Sequence, residues 1–170
     1  MARLQRHRLL SIVGPGGIGK TSVAIAVAEA SVNTYEHGVW FVDLAPLADA
    51  RLVPSAVAQV LGFEIRSDDP VPGLVGALRD RRLVLVLDNC EHVVEAAATV
   101  AVAILRGAAD VHIVATSREP MKDGRRLGQS GRYAGLAPAE YIVSADSSCL
   151  TPQRGCTERY QSNSSTSPRS

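Results

Sequence analysis

Long apolar runs are missing from this 170-residue sequence. None reaches the roughly 20 residues that a membrane-spanning helix requires, so no membrane partner is expected. The basic opening Met1–Arg8 leads into Leu9–Ile18, which is broken by glycines and a proline, so a signal peptide is not expected. A cytoplasmic location is the default expectation. Cysteine is scarce: Cys90, Cys149 and Cys156 are irregularly spaced and suit neither a disulfide framework nor a zinc site. Charge of one sign is also lacking. A formal net charge of +1 argues neither for nor against a polyanionic partner. With no helix-turn-helix pattern and no basic stripe, direct nucleic-acid binding by this chain is not expected. Nor is there an internal repeat. Lysine is nearly absent: of 18 basic residues, only Lys20 and Lys122 are lysines. One of those two stands inside a glycine-rich loop, a setting in which a compact ammonium and a planar guanidinium are not interchangeable.

What is present is an alternation of two periodicities. Leu9–Val13, Gly38–Leu44, Leu83–Leu87 and Val111–Ala115 are short apolar runs bounded by turn residues, and they predict strands. Leu83–Leu87 (LVLVL) is continuously apolar, as a strand covered on both faces must be. Ser22–Ala30, Arg51–Leu61, Gly73–Arg79 and Val93–Leu105 predict helices, with Gly62 and Gly107 as stops. Strand–helix alternation implies right-handed βαβ units and a parallel sheet. Trp40, the lone tryptophan, and Cys90 read as core or near-core residues.

Gly14-Pro15-Gly16-Gly17-Ile18-Gly19-Lys20-Thr21 fits G-x-x-x-x-G-K-[ST], the P-loop pattern. Its glycines let successive backbone N–H groups turn inward on an anion. The helix beginning near Ser22 adds the positive end of its dipole. In that reading Lys20 reaches the β- and γ-phosphates of a nucleotide and the Thr21 hydroxyl meets Mg²⁺. The alternative is a glycine turn with a surface lysine.

Asp88 ends the buried run Leu83–Leu87, at the strand edge where open α/β sheets bind ligands. It is a candidate Mg²⁺ ligand beside Thr21, or else a helix N-cap. Glu91 is a candidate for orienting or deprotonating an attacking water, or a first-turn acid favoured by the helix dipole. His92 reads as structural. Thr116-Ser117-Arg118 ends its strand on the same edge, and Arg118 either neutralises phosphate charge or belongs to an ordinary polar turn. Asp43 either lines the site or caps its strand.

The segments GPGGIGKTSVA, LVLVLDNCEHV and IVATSREP, in this order, resemble the STAND-class P-loop ATPases, specifically the NB-ARC-like domains of bacterial transcriptional regulators. The likeness runs from about Leu9 to Pro120 and includes VWFVDLAPLADARLVPSAVAQVLGF. It implies a three-layer α/β P-loop NTPase with a mostly parallel sheet in the order 5-1-4-3-2. It also implies a switch that binds ATP or ADP with Mg²⁺ at Gly14–Thr21 and Ser22. Lys20, Thr21, Asp88 and Arg118 match the family's phosphate, metal, Walker B and sensor 1 positions. The acid that often follows the Walker B aspartate is Asn89 here, which leaves Glu91 as the nearest candidate base.

Periodicity is lost after Pro120, and Ser, Gly, Arg and Pro dominate Met121–Ser170. The expectation is an incomplete nucleotide-binding domain over 1–120 and an irregular tail over 121–170, fitting a reading-frame shift near Met121. The sheet's last strand and the closing subdomains are then missing. The strand Leu9–Val13 would be an open edge prone to self-association, with marginal stability and weak nucleotide affinity. Hydrolysis is expected to be weak or lost. The competing expectations are a small P-loop kinase or other NTP-hydrolysing enzyme, and a non-functional fragment.

Overall fold

A computed structural model describes Leu4 and residues 7–65, 67, 69–119 and 141–144. The strands are β1 Leu9–Val13, β2 Val39–Asp43, β3 Leu83–Asp88, β4 Val111–Ser117 and β5 Tyr141–Ser144. The helices are α1 Lys20–Ser31, α2 Val53–Val60, α3 Pro70–Leu78 and α4 Val94–Gly107, with single 3-10 turns at Ala50–Leu52 and Cys90–His92. The strands form one sheet in the order β2-β3-β4-β1-β5, and every pairing is parallel.

β3 shows why the sheet is sandwiched. All six of its residues are buried. Successive side chains leave opposite faces of a strand. Leu83, Leu85 and Leu87 accordingly join the core beneath α2, α3 and α4. Val84 and Val86 join the smaller core that includes Ala24 of α1. Each fully buried Leu or Val contributes about 1.5–3 kcal/mol of transfer free energy, so neither face can be left to water.

Local chemistry sets the element ends. α3 begins at Pro70, three residues before the periodicity predicts. The Asp69 carboxylate accepts the Val71 N–H at 3.2 Å, and proline is preorganised for the first helical turn. The run Arg51–Leu61 divides into a 3-10 turn and α2, the turn being capped by Asp49, which accepts the Arg51 N–H at 2.9 Å. The last turn of α4 is closed by a distant residue. The Arg8 guanidinium donates to Leu105 O at 2.7 Å, to Ala108 O and to Val111 O at 3.2 Å. That places a cation on the helix's negative end and fixes where β1 enters the sheet.

Two expectations change. The sheet is α/β and parallel, in the order expected, but its last strand is present. Tyr141–Ser144 pairs with β1 in the register Leu10↔Tyr141 to Val13↔Ser144. This β-favouring Tyr-Ile-Val run lies inside the segment expected to be irregular; four residues suffice because β1 supplies a ready ladder of backbone partners. β1 is therefore interior, between β4 and β5, and does not provide the open edge. β2 stands at one end of the sheet with Phe41 exposed. For the same reason Trp40, on β2, is only half-buried; it packs against the larger core while its indole N–H donates to His37 O at 2.8 Å.

Candidate functional site

The C-terminal ends of β1, β3 and β4 share one edge of the sheet, and the glycine loop leaves β1 there. Gly14 N–H donates to Ser117 O at 3.3 Å, so the loop starts clasped to the end of β4. Gly17 and Gly19 have φ of +80° and +87°, in the left-handed region that side chains disfavour. Pro15, Gly16 and Gly17 are exposed, Ile18 and Gly19 half-buried. Gly19 is the residue from which α1 springs. Ser22 is exposed in the first turn of α1. Lys20 is buried, 9% exposed, and its ammonium curls back to donate to Pro15 O at 3.0 Å. The cation is thus held across the mouth of its own loop.

Thr21 and Asp88, separated by 67 positions, meet. The Thr21 hydroxyl lies 2.9 Å from Asp88 Oδ2 and 3.1 Å from Oδ1. Asp88 is 2% exposed. Burying a carboxylate is tolerable only when donors replace its hydration, and three do so. Besides Thr21, the Thr116 hydroxyl donates to Oδ1 and the Asn89 side-chain amide to Oδ2 at 3.3 Å. The capping alternative for Asp88 is not what forms: Asn89 precedes the 3-10 turn, without a side-chain cap.

Asn89, noted in the sequence for standing where the resembled family often has a second acid, has a structural role of its own. Its φ of 59° makes it the one described non-glycine residue with positive φ. Asn tolerates that conformation better than most side chains. The twist lets its backbone N–H donate to Thr116 Oγ1 at 3.1 Å while its amide reaches Asp43 Oδ1 at 2.9 Å. Asp43, opposite Asp88 in the β2–β3 register, also accepts the Ala45 N–H at 3.0 Å. It therefore both caps its strand and joins the site network. The available signal was a polar Asp-Asn pair closing a buried strand.

Arg118 Nε donates to Glu91 Oε1 at 3.2 Å. A methyl group built on Gly16 would lie 3.5 Å from Arg118 Nη2, so the guanidinium rests over the glycine loop. Glu91 lies in the 3-10 turn after β3, as a first-turn acid, and its second oxygen is buried without a partner among the described residues. His92 Nε2 donates to Leu47 O at 3.0 Å, tying that turn to the loop after β2. Cys90 is buried beneath the turn. Desolvation, then the nearby Asp88 and Glu91 carboxylates, push its thiol up to about 12, which makes it a core residue and not a nucleophile.

The donor set fits a hard divalent cation. Thr21 and Asp88 present oxygens at one point, and Mg²⁺ is commonly held by one or two protein oxygens together with waters and phosphate oxygens. Among the described residues no cluster of three or more His, Cys, Asp or Glu forms a self-sufficient metal cage. A shallow cavity of about 290 Å³ at the end of α2, lined by Ser55, Gln59, Phe63 and Ile65 among others, shares no residue with this site.

No protein-family model matches the sequence. A Mycobacterium tuberculosis (strain H37Rv) protein named as a candidate HTH-type transcriptional regulator is 40% identical over 146 residues, covering 84% of this chain and 15% of that protein. An uncharacterised protein of the same strain is 32% identical over 117 residues, covering 68% of this chain and 30% of its own length. The chain therefore spans less than a third of the length of either relative. Among solved structures, Cdc6p from Pyrobaculum aerophilum superposes with a TM-score of 0.51 at 18% identity, over 65% of this chain and 32% of that one. The chain has a P-loop NTPase fold. Among the described residues, no helix is long and apolar enough to cross a membrane.

Proposed function

We propose that this chain is the nucleotide-binding part of a regulatory ATPase of the STAND class, NB-ARC-like, which binds ATP or ADP with Mg²⁺ and hydrolyses slowly or not at all. The observation that carries this reading is the meeting of Thr21 and Asp88 at the foot of a glycine loop whose lysine is folded into its mouth. In this reading the backbone N–H groups of Gly14–Thr21 and Ser22 receive the phosphates, aided by the dipole of α1. Lys20 exchanges Pro15 O for phosphate oxygens, trading a neutral acceptor for charged ones. Thr21 and Asp88 hold Mg²⁺, which supplies charge neutralisation at the phosphates. Thr116 and Asn89 keep the Asp88 carboxylate aimed. The regulator name carried by the 40%-identical relative supports a switching role in the cytoplasm, with any DNA contact made by other parts of such a protein.

Thermal-shift titration with Mg-ATP and Mg-ADP tests the reading. A ligand bound only by the folded chain raises the midpoint by mass action. The wild type should show a saturable rise with either nucleotide, and Lys20→Ala should show none. Equal behaviour of the two chains would remove the proposal.

A further inference from the structure

The contact between Glu91 and Arg118 is not needed to hold the glycine loop or the Thr21–Asp88 pair. Arg118 is 63% exposed at its side chain and Glu91 25%. An ion pair so placed adds little stability, since water screens it and ordering two long side chains costs entropy. What it does fix is direction. A guanidinium is a planar fork, and the edge used for one partner decides which edge faces the next. Here Nε is taken by Glu91 Oε1, and Nη2 is left over Gly16 with no hydrogen bond to a described residue.

We infer that Glu91 is a positioning residue: its carboxylate turns the free edge of Arg118 onto the glycine loop, so that Arg118 distinguishes a triphosphate from a diphosphate. This rests on the nucleotide reading above. It assigns Glu91 a role opposite in sign to the one its charge alone would give. A bare carboxylate near phosphates repels them, so removing it should tighten ATP binding. A carboxylate that orients an arginine should, on removal, loosen it.

The test measures Kd for Mg-ATP and Mg-ADP by isothermal titration on the full chain. Arg118→Ala should weaken ATP by about ten- to a hundredfold, the range of a hydrogen bond to a charged group, while the Kd for ADP changes far less. Glu91→Ala should weaken ATP by about two- to fivefold, the range of an exposed ion pair, and should not weaken it further in the Arg118→Ala background. Glu91→Gln keeps an acceptor for Nε and should recover most of the lost affinity. Tighter ATP binding in Glu91→Ala, no recovery with Gln, or an equal effect of Glu91→Ala without Arg118 would each overturn the inference. Because Glu91→Ala also deletes a buried oxygen that has no partner among the described residues, the variant is not expected to lose stability. A wild type that binds neither nucleotide removes the nucleotide reading, and this inference with it. A wild type that binds both, with ATP unweakened by Glu91→Ala, removes the inference alone.

Discussion

Thr116→Val isolates the hydrogen-bond network around Asp88 from any question of ligand. The substitution keeps the side chain's shape and deletes one hydroxyl in a residue that is 0% exposed. That hydroxyl donates to Asp88 Oδ1 and accepts the Asn89 N–H at 3.1 Å. A hydrogen bond to a charged acceptor is worth about 1.5–3 kcal/mol, and an orphaned buried donor costs about 1–3 kcal/mol. Asn89 is half-buried, so the second cost falls at the lower end. The expected loss is about 2–4 kcal/mol by these figures. At about 2–4 °C per kcal/mol for a chain of this size, the thermal midpoint should fall by about 5–15 °C. Thr116→Ser keeps the hydroxyl and removes one methyl, costing about 1 kcal/mol. Urea unfolding of the three chains without nucleotide gives both numbers. A valine variant within about 0.5 kcal/mol of wild type, or one more stable than the serine variant, would refute the reasoning, since differences that small are ordinary for uninvolved sites.

Gly19→Ala places a Cβ at φ +87° and should cost about 1–2 kcal/mol of unfolding free energy, read by urea titration; an unchanged midpoint would contradict the loop geometry. Cys90, with its thiol pushed up to about 12 and its side chain buried, should be alkylated by iodoacetamide at least about a hundredfold more slowly in the folded than in the unfolded chain, as mass mapping would show. His112 stacks edge-on against Tyr35, with centroids 5.1 Å apart. Desolvation lowers its pKa below the ordinary histidine value. The unfolded chain therefore takes up the proton first. Its contribution to stability is complete above about pH 6.5 and is lost as pH falls from there toward the lower folded value. His112→Phe should flatten the fall in unfolding free energy between about pH 7.5 and about pH 5; an unaltered slope would assign that fall to other groups.

The layer arrangement was readable because burial on both faces of a parallel sheet leaves a plain trace: Leu83–Leu87 admits no other placement. The loop was readable because its glycines stand where the backbone turns to positive φ, at Gly17 and Gly19, just ahead of α1. Asn89 was not, since its importance comes from a backbone twist that brings together Asp43, Asp88 and Thr116, residues up to 73 positions apart in a chain folded through three strands. β5 was missed for a related reason. Four residues carry too little periodicity to announce a strand, and their pairing is decided by the open flank of β1, which is a tertiary fact. Arg8 illustrates the same limit: nothing near it in sequence shows that it closes the end of α4, about 100 residues away.

A structure determined with Mg²⁺ and a non-hydrolysable ATP analogue tests the central claim most directly. The account predicts the polyphosphate seated on the N–H groups of Gly14–Thr21, Lys20 moved from Pro15 O to phosphate oxygens, and Thr21 drawn off Asp88 to share the metal with it. An analogue bound elsewhere, with the Lys20–Pro15 and Thr21–Asp88 contacts intact at saturating ligand, would contradict it.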